Sequence, residues 1–209
     1  MPSLPRHAPR ADHAPVDHAI QSRLLTTLID RIECGVVACG ADSTLVLANA
    51  AARREFERGR SLCIVDNRVR GIGAAHAGWS TALADATLRQ RCSLVGIDDG
   101  AERLTVALMP VHVDGLAAPV ALAVMGRRGV CSPLGLEMLA SSHGLTLAES
   151  RVFRALVGNR TAREIADSHG VAVATVRTQI QAVRDKLGVR SIDALLLRAA
   201  ELPPVTAFY

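Results

Sequence analysis

Residues 146–200 read TLAESRVFRALVGNRTAREIADSHGVAVATVRTQIQAVRDKLGVRSIDALLLRAA. Four helix signatures follow one another in this stretch. Thr146 and Glu149 stand at capping-box spacing and open a helix over Leu147 to Val157. Asn159 follows it, and Asn tolerates the left-handed backbone that a C′ position needs. Thr161 and Glu164 form a second box, opening Ala162 to Ser168, and Gly170 then permits a sharp turn. A third helix is predicted from about Val173 to Leu187, with Gly188 as its stop. Ser191 caps a fourth through about Ala200, with Asp193 well placed in its first turn.

Two helices joined by a short glycine-containing turn form a helix-turn-helix. The helix after such a turn needs one apolar and one polar face. At 100° per residue, Val173, Val176, Ile180, Val183 and Leu187 fall on one side, predicting a buried recognition-helix core. Ala174, Arg177, Thr178, Gln181, Arg184 and Asp185 fall on the other. Arg and Gln carry the forked donors that suit base edges in a major groove. The plain alternative is an amphipathic helix of any small bundle. The caps and the glycine turn in register argue against it.

Residues 146–200 thereby resemble the LuxR/FixJ-type DNA-binding domain of bacterial transcription regulators. The residues that carry the resemblance are Leu145-Thr146 with Glu149, Thr161 with Arg163 to Ala166, Gly170, Thr175 to Arg177, and Lys186 to Ser191. It covers about a quarter of the chain. The resemblance implies a four-helix domain whose third helix enters the major groove and whose fourth supports a dimer on two half-sites. It assigns base-facing roles to Arg177, Thr178 and Gln181, and backbone contacts to Thr161, Thr175 and Lys186. Three departures stand out. Ala172 occupies a position that is usually a serine-like cap, Gln179 one that is often histidine, and Gln181 one that is often basic. The fourth region of a sigma factor is the nearest competitor. The Lys186-Leu187-Gly188-Val189 exit and the following helix argue against that reading.

Charge is distributed in the same sense. The whole chain of 209 residues carries a formal +4, with 23 arginines and Lys186 as the one lysine. Residues 146–209 hold eight Arg and Lys186 against six acids, a net +3, and residues 1–145 hold fifteen Arg against fourteen acids, a net +1. A positive excess on a small domain is compatible with a polyanion partner. Aromatics make up only 2%, so stacking single-stranded bases on aromatic platforms is excluded as a mode of binding.

The first part of the chain reads differently. Residues 1–17 read as a disordered leader, 18–127 as a sensor or dimerisation domain, 128–144 as a linker, and 145–209 as the DNA-binding domain. Ile20, Leu24, Leu25, Leu28, Ile29 and Ile32 sit at helical spacing, an apolar stripe for the domain itself or for a second copy. Residues 35–48 read as a β-hairpin, 49–58 as a short helix, 62–65 as a strand, 71–78 as a loop and 81–91 as a helix. Three strands follow at 93–98, 103–113 and 120–125, with a turn signal at Asp98-Asp99-Gly100, and a short helix lies around 136–141. The expected class is α+β: an antiparallel-sheet domain followed by an all-α four-helix domain. The hairpin, Asn49 placed to cap the next helix, and the later three-strand meander resemble a PAS-like sensor domain. Another small α+β ligand domain, such as a GAF-like one, is the alternative.

Other classes find little footing. No stretch of 18 uninterrupted apolar residues is present, and the N-terminus lacks the apolar core of an export signal, so a cytoplasmic protein is expected, without membrane contact. Cys34, Cys39, Cys63, Cys92 and Cys131 form no CxxC pair and read as small buried hydrophobes, with a Cys34/Cys39 redox pair as the alternative. His7, His13 and His18 fit no zinc spacing, and no metal or cofactor is expected. His76 and His112 are the only haem-ligand candidates within the sensor domain. Ser80, His76 and Asp85 can be written as a triad, but no nucleophile elbow surrounds them, and Gly71-x-Gly73 lacks the rest of a dinucleotide fingerprint. An enzyme is not expected. The expected function is transcription regulation. Double-stranded DNA and a second copy of the chain are the expected partners, with RNA polymerase and a small apolar effector as further candidates. The rival reading is a protein-interaction adaptor.

Overall fold

The computed structural model describes residues 17–98, 103–116, 118–127 and 129–206. The predicted leader and the turn at Asp99-Gly100 lie outside these, apart from Asp17, whose side chain caps the first helix. In chain order the elements are α1 (His18–Ile29), β1 (Val36–Cys39), β2 (Leu45–Ala48), α2 (Ala50–Arg58), β3 (Leu62–Val65), β4 (Arg68–Gly71) and α3 (Ala75–Thr87). Then come β5 (Ser93–Asp98), β6 (Arg103–Val111), β7 (Val120–Met125), α4 (Pro133–Ser142), α5 (Leu147–Val157), α6 (Ala162–His169), α7 (Val173–Leu187) and α8 (Ile192–Ala200).

The class is α+β, with sheet and helical bundle segregated along the chain. Five strands form one antiparallel sheet in the order β2-β1-β7-β6-β5. Period-two alternation buries one face of it: Val37 and Cys39 from β1, Leu104, Val106 and Leu108 from β6, Ala121, Ala123 and Met125 from β7. Ala52 and Phe56 of α2 and Trp79, Leu83 and Ala86 of α3 share the same core.

Asn49 ties this domain together. It is fully buried and every hydrogen-bonding atom of its amide is used. Its Oδ1 accepts from the N–H groups of Val36 and Ala52, both at 2.9 Å, and its Nδ2 donates to the carbonyls of Ile29 at 3.0 Å and Cys34 at 2.9 Å. One side chain therefore caps α2 and anchors the end of α1 to the start of β1.

The segment expected as a loop over 71–78 is corrected by the structure. Val65 and Arg68 face each other across a two-residue turn in which Asp66 and Asn67 both have positive φ, so β3 and β4 form a second hairpin. Helix α3 then starts at Ala75, six residues before the expected position, and ends at Thr87. The glycines here serve packing. A Cβ on Gly71 would stand 2.5 Å from the Ala75 carbonyl oxygen, so only glycine lets β4 run straight into α3. His76 and Ser80 lie exposed on α3, and Asp85 is paired with Arg89 at 2.5 Å, so the three do not form a triad.

The second core belongs to α4–α8. Val152, Phe153 and Leu156 of α5, Ile165 and Ala166 of α6, four residues of α7, and Leu195 and Ala199 of α8 are buried together. Helix α4, within the predicted linker, adds Leu136 and Leu139 to this core. Past α8 the chain turns back: Val205 bridges to Ile32, and the Glu33 N–H donates to the Pro204 carbonyl at 2.8 Å. Among the described residues no helix is long and apolar enough to cross a membrane.

Candidate nucleic-acid interface

The turn between α6 and α7 is built from local chemistry. Thr161 opens α6 by accepting from the Glu164 N–H at 3.3 Å, while Glu164 reaches back to the Thr161 N–H at 2.7 Å. These bonds hold the Glu164 carboxyl below its usual range, the Thr161 backbone N–H contributing most. Gly170 closes α6 in the left-handed conformation with φ 65°. Val171 and Ala172 then lead into α7. Its N-cap, Ala172, has the extended backbone of a cap but makes no side-chain hydrogen bond.

Helix α7 divides as its sequence is patterned. Val176, Ile180, Val183 and Leu187 are buried against α5, α6 and α8, whereas Thr175, Arg177, Thr178 and Gln181 are exposed. Arg177 and Thr175 have no side-chain partner among the described residues. The Thr178 hydroxyl donates to the Ala174 carbonyl at 3.1 Å. Gln181 is engaged at both ends of its amide: Nε2 donates to Asp185 Oδ1 at 2.8 Å and Oε1 accepts from Arg184 Nη1 at 3.1 Å. Arg184 also donates to the Arg190 carbonyl, which ties α7 to the segment leading into α8. The Thr161 hydroxyl donates to Glu164 Oε2 at 2.8 Å while it accepts, so the cap uses it fully.

Lys186 occupies a place the spacing did not reveal. Its ammonium donates to Glu149 Oε2 at 2.7 Å and to the Gly144 carbonyl at 3.0 Å. The same Glu149 oxygen accepts from the Thr146 N–H at 2.7 Å. Lys186 thus fastens the last turn of α7 to the capping box of α5. The Lys186 hydrogen bond, then the Thr146 N–H, hold the Glu149 carboxyl below its usual range. Glu149 is the partner that sequence reasoning missed: its visible role in the capping box hid the second bond.

The exposed cations of this domain extend beyond α7. Arg151, Arg160, Arg163 and Arg190 are exposed and without an ion pair among the described residues. In the sheet domain, burial pushes the Cys39 thiol up to about 12 and raises that of Cys34. Neither is a thiolate near neutrality, so both behave as apolar groups.

No family model matches the chain, and no curated protein matches it. Among solved structures, the phage VqmA–DPO complex is 18% identical over 89% of this chain and 93% of that chain, with a TM-score of 0.34. The Vibrio cholera VqmA–ligand–DNA complex is 17% identical over 92% of each chain, with a TM-score of 0.34. The PAS domain of Bordetella pertussis BvgS is 16% identical over 60% of this chain and 96% of that one, also at 0.34.

Proposed function

We propose that this chain is a cytoplasmic DNA-binding transcription regulator, with residues 145–209 reading the duplex and residues 18–127 sensing a small molecule or holding a dimer. The observation that carries the reading is α7 itself. Four apolar side chains fix it in a core, a left-handed glycine turn leads into it, and an unpartnered arginine stands on its exposed face. That combination serves base reading in a major groove. Arg177 takes the base edge, with Thr178 and Gln181 beside it, and Thr175 lies toward the backbone; Thr161 and Lys186, expected there too, already spend their polar groups within the domain. A second copy of the chain is the natural cover for α1, where Ile20, Leu24, Leu25 and Leu28 are each more than half exposed. RNA polymerase and a small effector complete the proposed partner set.

The test is a mobility shift with the full chain against its own upstream region. Arg177→Ala should cost on the order of 1–3 kcal/mol at the specific site and leave non-specific binding nearly unchanged. Affinity should fall steeply with salt as phosphate counterions are displaced. Unchanged specific binding in Arg177→Ala, or no salt-dependent binding in the parent, overturns the proposal.

One observation favours the rival adaptor reading. On α7 the charge of Lys186 and the amide of Gln181 are both committed inside the domain. An adaptor would retain its partner in Arg177→Glu, whereas a DNA reader would lose its site.

A further inference from the structure

A cleft of about 640 Å³ opens where the sheet domain meets the second core. Its walls come from α2, from the connector between α1 and β1, and from the segment entering α4. Thr206 closes one side, because the tail is held there: the Thr206 N–H donates to the Arg31 carbonyl at 2.9 Å. The volume falls in the range of sites for small molecules.

Two buried polar atoms in these walls lack hydrogen-bond partners, Glu33 Oε2 and Arg127 Nη1. They face each other at 3.8 Å, an ion pair too long for a direct hydrogen bond. The other end of the Arg127 guanidinium is committed to the Ala200 carbonyl at 3.3 Å. A buried donor and acceptor that attract each other without a hydrogen bond are still costly, so both favour an occupant that supplies one. Burial raises the Glu33 carboxyl, while Arg127 and Arg54 draw it back. Arg54, also in the wall, is exposed and makes no hydrogen bond or close ion pair among the described residues.

An occupant that meets these groups must accept from Arg127 and donate to Glu33 side by side. A simple anion would leave Glu33 unmet, and a simple cation would leave Arg127 unmet. We propose that the cleft binds a small zwitterion of the amino-acid type, its carboxylate on Arg127 and Arg54 and its ammonium on Glu33. Because the walls come from both cores, a bound molecule joins the sensor domain to α4 and so to the helical domain. The inference rests on the sensing half of the proposed function and replaces its apolar effector with a charged one. It is independent of whether α7 reads DNA.

The experiment is thermal unfolding of the full chain, with each of the standard L-amino acids added singly at about 10 mM. A ligand at a hundred times its Kd should raise the midpoint of a chain this size by roughly 5–10 °C. That rise should disappear in Glu33→Gln, which keeps the side-chain shape, and in Arg54→Ala, a surface change that leaves the cores intact. No rise with any amino acid overturns the inference, the unpaired atoms then being served by water alone. A rise retained in either variant overturns it too. No DNA enters this readout, so its failure leaves the DNA-binding proposal standing, and the reverse.

Discussion

Replacing Lys186 by methionine separates two roles that one lysine cannot fill together. Methionine keeps an aliphatic stem and removes the ammonium. The bond lost to Glu149 Oε2 is 2.7 Å long, between side chains 35% and 11% exposed, and the bond lost to the Gly144 carbonyl is 3.0 Å long. A charge-assisted hydrogen bond out of water contributes about 1.5–3 kcal/mol, and a fully exposed ion pair about 0–1. This pair lies between those limits, so the loss should be roughly 1–2 kcal/mol, or about 2–8 °C in midpoint. Urea unfolding followed by circular dichroism reads it directly. A double-mutant cycle with Glu149→Gln isolates the pairwise part.

The pH dependence carries the sign. Glu149 is held below its usual value in the folded state, so its contribution is present above the unfolded carboxylate value of about 4.3. It is lost as pH falls through the lower folded value. Lys186→Met removes the largest cause of that depression, so its stability should decline less steeply on the acid side. If Lys186→Met is as stable as the parent, yet binds DNA more weakly with a salt slope reduced by about one phosphate, the lysine spends its charge on DNA and the staple reasoning is wrong.

Three further changes probe other joints of the molecule. Ala172→Ser supplies the oxygen that the extended N-cap of α7 lacks and should add about 1 kcal/mol, read as a shifted denaturant midpoint; no gain means those N–H groups are already satisfied. Asn49→Ala unpairs the N–H groups of Val36 and Ala52 and the Cys34 carbonyl, and takes one of two bonds from the Ile29 carbonyl; it should cost about 3–5 kcal/mol, whereas a loss under about 1 would mean water replaces the amide. Leu24→Asp with Leu28→Asp places charge on the exposed α1 stripe and should convert a sedimenting dimer to monomer without lowering the midpoint of the cores; an unchanged mass removes α1 from the interface.

The helical domain was legible almost to the residue because its punctuation is written locally. Thr146, Thr161 and Ser191 cap, Gly170 and Gly188 stop, and these signals act within one turn of the residues that show them. Helix α3 was misplaced for the opposite reason. It starts from Ala74 without a side-chain cap, and three of its buried residues are alanines, so no apolar stripe stands out from Ala75 onward. Strand β4 has a single apolar residue, Val69, between arginines, although the Asp66-Asn67 turn was a signal for it. The Lys186–Glu149 pair spans 37 residues and the cleft is assembled from distant segments, so neither leaves a mark at short range.

That difference between local and distant chemistry also decides where base discrimination would fall on α7. An outward face alone suggests three equal readers. Hydrogen bonding makes them unequal. Gln181 must release Asp185 and Arg184 before its amide can meet a base, so two bonds are exchanged for two and the net gain is small. The Thr178 hydroxyl keeps only its acceptor capacity while it donates to Ala174. Arg177 has no bond to give up among the described residues, so a bidentate contact to a guanine would contribute its full value. Specificity concentrated in one arginine would require that its helix be held without play, and the α7 anchors would serve that end. Leu187 is buried, Arg184 reaches the Arg190 carbonyl, and Lys186 is tied to the opening of α5. If Arg177 reads a base, the charge that Lys186 keeps within the domain would help fix the angle at which that arginine is presented.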